Sequence, residues 1–427
     1  MLVNIADIEV DRTVYPRDSH DNESVSRYRM ALDRLPSIKV NQDLVLIDGY
    51  HRLLAYQVEG KQQIPADILE VSRDQILVEA IRLNATHGKQ LSAAEKRRHA
   101  RTLWEQRASG PSDTDARDWI ADLLSISTDK VYDATKDLRK KQKEGQQQDA
   151  WNMWLACLSQ HQIADVLGVT QQTISGWVLQ KLGNCQDFVP DSLHLYDLWN
   201  FSTCDERYGV SGYPGQIPGQ IVENVLHYYT GPGDVVLDPM AGGGTTIDVC
   251  KAMARRYLAF DVQPIRDDIG KHDITMGPPP LPDTVTANGG VKLVFVDPPY
   301  WTMKDADYSA DSVSTKTLPE FNEWITQLAH ISFDLLAPGG VLAFLIQNQT
   351  EKDVPAGLGY IDHVFEAYNR LLGVGFLPER RVACPQSTQT FVPQQVEKAK
   401  ETKHLMGLVR DLLVVRKANA NRLERDA

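Results

Sequence analysis

The segment that most constrains the fold is an apolar run that breaks into a glycine-rich turn and then into a helical pattern. Val235–Asp238 has the character of a short buried strand, three glycines occupy residues 242–244, and Thr245 opens a helical stretch expected to end near Arg256. Glycines let the backbone approach a ligand closely, and the start of a helix attracts negative charge. The pattern predicts a strand–turn–helix unit of a parallel α/β sheet with a ligand at its carboxyl edge.

A second acidic residue lies where the next strand of such a sheet would end. Residues 257–261 form another strand-like run, and its last residue, Asp261, follows Gly244 by seventeen residues. A carboxylate in this position can accept hydrogen bonds from both hydroxyls of a ribose. The two features together indicate a nucleoside-containing ligand, and a dinucleotide would fit them as well as a mononucleoside cofactor.

A third motif, Asp297-Pro298-Pro299-Tyr300, follows the apolar run Val291–Val296. It places a carboxylate, a carbonyl and an aromatic ring in one rigid turn at the end of a strand. An exocyclic amine on a base is a poor nucleophile, because its lone pair is delocalised into the ring. If Asp297 and the Pro298 carbonyl accept its hydrogens, the lone pair becomes available for attack, and this stabilisation grows as charge develops on nitrogen. Tyr300 would stack on a base flipped out of the duplex.

With these motifs in this order, the chain resembles the amino-directed, S-adenosylmethionine-dependent DNA methyltransferases over about 230 residues. The resemblance implies a Rossmann-like α/β sheet, S-adenosyl-L-methionine as cofactor, and transfer of its methyl group to a base amine. Residues 213–224 are similar to the segment that closes over the methionine part of the cofactor in that family. The catalytic residues that it implies are Asp297, Pro298, Pro299 and Tyr300. The cofactor-binding residues that it implies are Gln216, Asp238, Pro239, Ala241, Gly242, Gly244, Thr245, Asp261 (ribose) and Asp273 (adenine amine).

A helical region before these motifs carries two candidate helix-turn-helix units. In the clearer one, residues 162–178, Gly168 permits a sharp turn and Thr170 caps a second helix. That layout presents Gln171, Gln172 and Ser175 outward, where short polar side chains can reach base edges in a major groove. The sequence therefore predicts a recognition helix that begins at Gln171.

The weaker unit, residues 116–143, has a serine where the other has its glycine, and its trailing helix ends in a basic run. Lys140 and Lys141 in that run are candidate phosphate contacts, and residues 96–101 form another basic cluster. Such runs are equally typical of a solvated helix face. The glutamines at residues 146–148 suggest a short polar hinge between the two units.

The first seventy or so residues have the pattern of a small α/β unit. Two strand-like segments, residues 40–47 and 64–68, flank an Asp48-Gly49 turn that enters an amphipathic helix with His51 and Arg52 in its first turn. The Gly-x-x-Arg core resembles the nucleotide-binding box of the ParB/sulfiredoxin-like superfamily. That resemblance makes a bound nucleotide a candidate partner here, although Tyr50 replaces the usual acidic residue. A domain that is purely structural or that faces DNA explains the same turn.

Length and patterning predict three domains, because 427 residues exceed one core of ordinary size. We place them at residues 1–78 (ParB-like), 79–188 (helical, DNA-binding) and 189–427 (methyltransferase). The chain has no apolar run that could span a membrane and no signal-peptide layout at Met1, so we expect a cytoplasmic protein with no membrane partner. Its five cysteines are scattered, so neither a disulfide framework nor a metal site is expected.

The sequence thus favours a site-specific methyltransferase acting on double-stranded DNA, with adenine N6 as the target. Cytosine N4 presents the same amine chemistry, and related enzymes modify guanine in RNA, but helix-turn-helix units favour DNA over the narrow major groove of RNA. The alternative of another class is a ParB-like regulatory or partition protein with an inactive methyltransferase domain. Only about twenty residues separate Asp273 from the strand that precedes Asp297, which leaves no room for a large target-recognition insert there. Recognition of the DNA sequence is therefore expected from the N-terminal helical region.

Overall fold

The computed structural model describes residues 1–11, 22–86, 91–107, 112–185, 189–299, 316–349, 359–386, 393–403 and 405–419. Within these residues the chain forms two compact units, Met1–Gly145 and Gln146–Ala427. No helix in the described part of the chain is both long and apolar enough to cross a bilayer.

The N-terminal unit joins a small mixed sheet to a group of helices. Its elements are β1 (Leu2–Asn4), α1 (Asn22–Arg29), β2 (Ile38–Asn41), β3 (Leu46–Asp48), α2 (Tyr50–Val58), β4 (Gln63–Leu69), α3 (Ile76–Thr86), α4 (Ala93–Gln106), α5 (Asp113–Leu124) and α6 (Thr128–Ala134). The sheet order is β1-β4-β2-β3, with β2 and β4 parallel. One core lies between this sheet and α2, and a second core joins α3, α4, α5 and α6.

Helix α7 (Lys136–Leu155) continues from the first unit into the second without a break. The hinge predicted at residues 146–148 is therefore wrong. Glutamine and lysine are good helix formers, and spaced polar pairs support the helix, including a hydrogen bond from Gln148 Nε2 to Asn152 Oδ1 of 2.9 Å. Lys181 also donates to Gln148 Oε1, at 2.5 Å, and so adds a tertiary contact to this part of the helix.

The C-terminal unit contains the remaining elements. They are α8 (Gln160–Leu167), α9 (Gln171–Gly183), α10 (Gly219–Tyr229), β5 (Val235–Asp238), α11 (Thr245–Ala252), β6 (Arg256–Asp261), β7 (Gly270–Lys271), α12 (Asp283–Thr286), β8 (Val291–Val296), α13 (Leu318–Leu335), β9 (Leu336–Gln347), α14 (His363–Val374), β10 (Leu377–Pro385), α15 (Pro393–Glu401) and β11 (Val409–Arg416). The sheet order is β10-β11-β9-β8-β5-β6-β7.

The strands from β9 to β7 are parallel neighbours, while β11 runs antiparallel to both β9 and β10. Alternating residues of each strand supply two cores, one on each face of the sheet, because successive side chains point to opposite faces. This is the predicted Rossmann-like α/β class. One boundary differs from the sequence prediction: α11 ends at Ala252 and not near Arg256.

The clearer helix-turn-helix, α8 and α9, packs into the same core as the seven-stranded sheet. Buried residues of α7, α8 and α9 share a cluster with α10 and with the sheet. A Cβ built on Gly233, just before β5, would lie 3.4 Å from the Trp154 ring and 3.7 Å from Leu182. Arg256 Nε donates to the Trp154 carbonyl at 3.2 Å. The helices are therefore anchored at the amino ends of β5 and β6.

The compact units divide the described chain differently from the three predicted domains. The predicted boundary after residue 188 separates α8 and α9 from the sheet, whereas both helices lie in the C-terminal unit with it. The division between units falls inside α7. The three-domain scheme remains a prediction.

Candidate active site

Three carboxylates end three neighbouring parallel strands at the carboxyl edge of the seven-stranded sheet. Asp238 ends β5, Asp261 ends β6, and Asp297 directly follows β8, the other neighbour of β5. Side chains two or four positions before these acids lie in one core, on one face of the sheet: Val236, Tyr257, Ala259, Leu293 and Phe295. The alternation of the strands thus carries all three acids to one face and one edge, although they are up to 59 positions apart in the sequence.

The glycine-rich turn lies between the first two of these acids. Gly242 and Gly244 have positive φ angles of 49° and 82°, and Gly244 is the residue before α11. The Gly242 amide donates to Asp261 Oδ2 at 2.9 Å, and the Gln263 amide donates to Asp261 Oδ1 at 2.9 Å. These bonds fix the orientation of the Asp261 carboxylate beside the turn.

A salt-bridge network braces the other side of this turn. Arg266 donates to both oxygens of Asp248, at 2.8 and 2.7 Å, and to both oxygens of Asp268, while Lys251 donates to Asp268 at 2.7 Å. The two cations hold the pKa of Asp268 down, at about 2. A Cβ on Gly244 would lie 2.5 Å from Arg266 Nη1, so the turn has no room for a larger residue there. The sequence analysis missed Arg266, because nothing in its local pattern shows that it returns to α11.

Asp238 is an acid of the site whose pKa is strongly raised. It is 5% exposed, it accepts a hydrogen bond from the Met240 amide at 3.0 Å, and it also bonds to Thr246. Burial, together with the negative charges of Asp261 and Asp297, raises the pKa of Asp238, and the two hydrogen bonds lower it, so that it lies at about 7. A positive charge bound beside Asp238 would favour its ionised form.

The segment before α10 crosses the glycine turn. The Val210 amide donates to the Gly243 carbonyl at 3.0 Å, and a Cβ on Gly242 would lie 2.9 Å from the Tyr213 ring. Gln216 Nε2 donates to the Tyr208 carbonyl at 2.8 Å, which fixes the turn that presents Tyr213. Tyr213 therefore covers the glycines.

The remaining predicted cofactor residues take different positions. Pro239, Ala241 and Thr245 are buried around the glycine turn, and the Ala241 amide donates to the Phe260 carbonyl at 2.9 Å. Asp273 follows β7, and its carboxylate accepts from the Thr275 amide and hydroxyl at 2.9 and 2.7 Å, which caps the short turn Ile274–Met276. Its neighbour His272 donates a backbone hydrogen bond to the Asp261 carbonyl at 3.0 Å, so Asp273 directly follows a residue that is bonded to Asp261.

The catalytic turn is described up to Pro299. Asp297 is partly buried and Pro298 is buried, and β8 pairs with β5 through Val236 and Leu237. The predicted stacking residue, Tyr300, lies outside the described residues.

These features fit a cofactor with a nucleoside, a positive charge and a carboxylate end. Asp261 is held by backbone amides in the place where a ribose hydroxyl pair would bind, and the start of α11 supplies backbone donors. The buried Asp238 and the partly buried Asp297 offer negative charge to the cationic part. No group of three or more metal-ligating side chains was found in the described part of the chain.

The predicted recognition helix has the expected start. Gly168 ends α8 with φ of 64°, and Thr170 accepts a hydrogen bond from the Thr173 amide at 3.2 Å. Gln171 and Gln172 are exposed and Ser175 is partly buried; Gln171 Nε2 donates to Gln160 Oε1 at 2.7 Å.

In the weaker unit, Ser125 takes the left-handed conformation, with φ of 50°, that glycine takes in the other unit. Lys140 and Lys141 on α7 are both exposed, and Lys140 lies 3.8 Å from Glu144. Their contact with phosphates remains a prediction.

Arg52, the cation of the N-terminal motif, is engaged within its own unit. It donates to the carbonyls of Pro36 and Ser37, at 2.8 and 2.5 Å, and to Asp48 Oδ2 at 2.7 Å. Its side chain is 13% exposed. Arg52 thus stabilises the Asp48-Gly49 turn, as expected of a structural residue.

Comparison with known proteins gives a family match. The profile of a family of N6 and N4 methyltransferases, described as DNA methylase, matches residues 41–269, more than half of the chain. Among curated proteins, the type II methyltransferase M2.DpnII of Streptococcus pneumoniae is 32% identical over 74 residues, which are 17% of this chain and 28% of that protein. The type II methyltransferase M.BglII of Bacillus subtilis is 28% identical over 131 residues, 29% of this chain and 36% of that protein. The chain therefore spans about a third of the length of these relatives.

Solved structures give weaker similarities. TrmN from Thermus thermophilus aligns with a TM-score of 0.28 and 16% identity, over 48% of this chain and 50% of that one. A Pnob8-like ParB-N domain aligns with a TM-score of 0.26 and 17% identity, over 32% of this chain and 67% of that one.

Proposed function

The chain belongs to the N6/N4 family of DNA methylases, and from this premise we propose that it transfers a methyl group to the N6 amine of adenine in double-stranded DNA. The cofactor of this family is S-adenosyl-L-methionine. The observation that carries the proposal is the adjacency of two strand ends: the glycine turn after β5 and Asp297 after β8 belong to paired neighbouring strands. A methyl donor held at the first would lie beside an amine held at the second.

The cofactor, when bound, supplies an electrophilic methyl group on a positively charged sulfur. Asp261 accepts from the ribose hydroxyls, the backbone of residues 242–244 and the start of α11 receive the methionyl part, and Asp273 accepts from the adenine amine. Gln216 and Tyr213 hold the segment that lies over the turn. Asp238 offers a buried negative charge, and its ionisation is favoured when a cation arrives, because burial and the neighbouring acids oppose it otherwise.

At the acceptor side, Asp297 accepts one amine hydrogen and the Pro298 carbonyl accepts the other. This arrangement draws the nitrogen toward tetrahedral geometry and frees its lone pair for attack on the methyl group. The charge of Asp297 stabilises the positive charge that develops on the nitrogen, so its contribution is larger in the transition state than in the ground state. Pro298 and Pro299 keep the turn rigid, and Tyr300 stacks on the flipped base.

Adenine is preferred over cytosine because the Asp-Pro-Pro-Tyr form of the motif resembles that of the adenine-directed enzymes. The N4 amine of cytosine presents the same two hydrogens, so the same chemistry at Asp297 would serve cytosine.

Recognition of DNA is assigned to the helix-turn-helix of the same compact unit as the active site. Gln171 and Gln172 at the exposed start of α9 would reach base edges, with Ser175 beside them. Lys140 and Lys141 on α7 would bind phosphates. The N-terminal sheet and α2 are proposed to be a ParB-like domain with a structural or DNA-facing role, because Arg52 is already engaged by Asp48 and two carbonyls.

The deciding experiment is incubation with duplex DNA and methyl-labelled S-adenosylmethionine, followed by digestion to nucleosides and mass identification of the labelled base. Label on N6-methyladenine is the expected result, and label on N4-methylcytosine would replace the adenine assignment. Cofactor binding without labelled DNA, with RNA labelled instead, would overturn the DNA assignment. Absence of both cofactor binding and label would favour a regulatory DNA-binding protein.

A further inference from the structure

The carboxyl edge of the sheet carries a second group of polar side chains, on strands that lie on the other side of Asp297 from the cofactor acids. Gln347 ends β9, Arg410 lies at the start of β11, and Gln386 directly follows β10. Gln347 and Arg410 are direct partners in the β9–β11 register. They are 63 positions apart in the sequence.

These residues share a face with the catalytic acid. The alternate residues Leu345 and Val341 of β9 and Leu412 and Val414 of β11 lie in the core face that contains Leu293 and Phe295 of β8. Continuing the alternation places Gln347, Arg410 and Asp297 on this same face. The sheet order β11-β9-β8-β5-β6 then sets Arg410 two strands from Asp297, on the side away from Asp238 and Asp261.

Arg410 is buried and yet makes no hydrogen bond from its guanidinium to any described residue. It is 6% exposed, and its Nε is shielded from solvent without a partner. Its strand neighbour Asp411 is engaged by Arg381, at 2.9 Å. A buried cation without a hydrogen-bond partner lowers the stability of the fold. Such a residue is typical of a binding site, where a ligand supplies the missing acceptors.

Two thiols show what surrounds Arg410. The charge of Arg410 lowers the pKa of Cys204 and of Cys384 against the raising effect of burial, and the charge of Asp297 acts on Cys384 in the opposite sense, leaving its pKa at about 12. Cys204 in turn contacts the Gln216 carbonyl at 3.9 Å. Arg410 therefore lies near Cys384 at the end of β10 and near Cys204, which belongs to the segment before α10.

Gln347 and Gln386 extend the site across β9 and β10. Gln386 Nε2 donates to Gln347 Oε1 at 2.7 Å, and Gln347 is 3% exposed. This hydrogen bond fixes the side chain of Gln347, whose strand β9 lies between β8 and β11. Arg410 and Gln347 thus offer a planar cation with five donors beside a buried amide, a set that suits hydrogen-bond acceptors on a flat ligand.

We propose that Arg410, positioned beside Gln347, binds acceptor atoms of the target nucleotide while Asp297 holds its amine. A nucleotide whose amine lies at Asp297 and whose body extends away from the cofactor acids passes over β9 and β11, where Arg410 is the buried donor. The acceptors are ring nitrogens or a carbonyl of the base, or the oxygens of its phosphate. This inference rests on the proposed methyl transfer to a base amine.

The test compares Arg410→Met and Arg410→Lys with Arg416→Met and Arg416→Lys. Arg416 lies on the same strand and the same face, but at the opposite edge, where it pairs with Glu379 at 2.7 and 2.8 Å. Methyl transfer is measured on a DNA site first mapped with the wild-type protein, together with KM for DNA, kcat and the Kd for S-adenosylmethionine. Thermal unfolding is measured on each variant without ligands.

We expect Arg410→Met to lower kcat/KM for DNA about 10- to 100-fold, with the cofactor Kd within about threefold of wild type. Its melting temperature should be unchanged or higher, since the guanidinium has no hydrogen bond to a described residue to lose. Arg410→Lys should recover part of the activity, because the charge returns without the planar fork. Both Arg416 variants should keep kcat/KM, and Arg416→Met should melt at a lower temperature.

A duplex with an abasic target position separates the two kinds of acceptor. Equal binding of wild type and Arg410→Met to this duplex assigns the contact to the base, and a retained deficit assigns it to the phosphate. Loss of cofactor affinity with an unchanged KM for DNA would overturn the inference, as would Arg410 variants that match the Arg416 variants. A wild-type protein without methyl transfer would instead reject the proposed function itself, so the two failures are distinguishable.

Discussion

The two ends of the seven-stranded sheet treat buried polar groups in opposite ways. At the amino end, Arg255 is 4% exposed and donates to the carbonyls of Met253, Thr230 and Leu226, at 2.6, 2.8 and 3.3 Å. At the carboxyl end, Arg410 is just as buried and makes no comparable bond among the described residues, while Asp238 sits among like charges. A buried polar group whose hydrogen bonds are all made within the protein stabilises the fold. A buried polar group that lacks them costs stability, and it can instead bind a ligand.

The same contrast extends to the elements around each end. Trp154, Arg256 and Leu182 anchor the helix-turn-helix to the amino end, close to Gly233. The carboxyl end is lined by glycines and acids. β5 is four residues long, or about 13 Å, so only a short strand separates the anchored helices from the carboxyl edge.

Removing Asp297 should have the largest effect on the carboxyl end. Asp297→Ala should lower kcat by at least about 1,000-fold, because the charge that stabilises the developing ammonium is lost. The Kd for S-adenosylmethionine, measured by calorimetry, should stay within severalfold of wild type. Substantial remaining transfer would remove Asp297 from its assigned role.

Removing Arg255 at the amino end should lower the stability of the protein and leave catalysis nearly unchanged. Arg255→Met removes the hydrogen bonds of a buried guanidinium to three backbone carbonyls and to the Thr230 hydroxyl, and should cost about 3 kcal/mol of unfolding free energy. Denaturant unfolding measures this loss, and kcat per folded molecule should change little. A loss of kcat at unchanged stability would mean that the amino end is not the structural half of the sheet.

The proposed recognition helix predicts a smaller, sequence-dependent effect. Gln171→Ala combined with Gln172→Ala should weaken binding to the methylated site by about 2 kcal/mol, while binding to unrelated DNA stays the same. Fluorescence anisotropy at fixed salt measures both, with Gln180→Ala, an exposed residue near the end of α9, as the matched control. An unchanged site preference would remove α9 from base recognition.

A pH dependence of stability is expected from Asp238. Its pKa is raised from 3.8 in an unfolded chain to about 7, so between these values the folded protein binds more protons than the unfolded one. This group therefore makes the cofactor-free protein less stable as pH rises toward 7. Asp238→Asn removes the effect, and the melting temperature of the variant minus that of wild type should grow from pH 5 to pH 8. A constant difference across this range would contradict the assignment.

Much of the fold and half of the site could be predicted because the signals are local. The run before Asp238, the glycines after it and the caps of α9 each specify a strand, a turn or a helix start within a few residues. Parallel strands end at one edge, so Asp238, Asp261 and Asp297 could be placed together without coordinates. Sequence patterns failed for the glutamines at residues 146–148, since polar composition alone does not distinguish a hinge from an exposed helix.

Other features required the packing of distant segments. Arg266 braces the glycine turn and Tyr213 covers it through contacts that no spacing rule indicates. The attachment of α8 and α9 to the sheet depends on Trp154 and Arg256, which are 102 positions apart.

The sequence by itself determined a Rossmann-like sheet with a glycine turn and a proline-rigid acidic turn at its carboxyl edge, since backbone propensity and strand direction act over short stretches of chain. The tertiary structure alone decided that Gln347 and Arg410 join that edge on the face of Asp297, and that one buried arginine is satisfied while another is not. The order of strands and their register govern such contacts, and these are fixed only when helices and loops from the whole unit pack around the sheet.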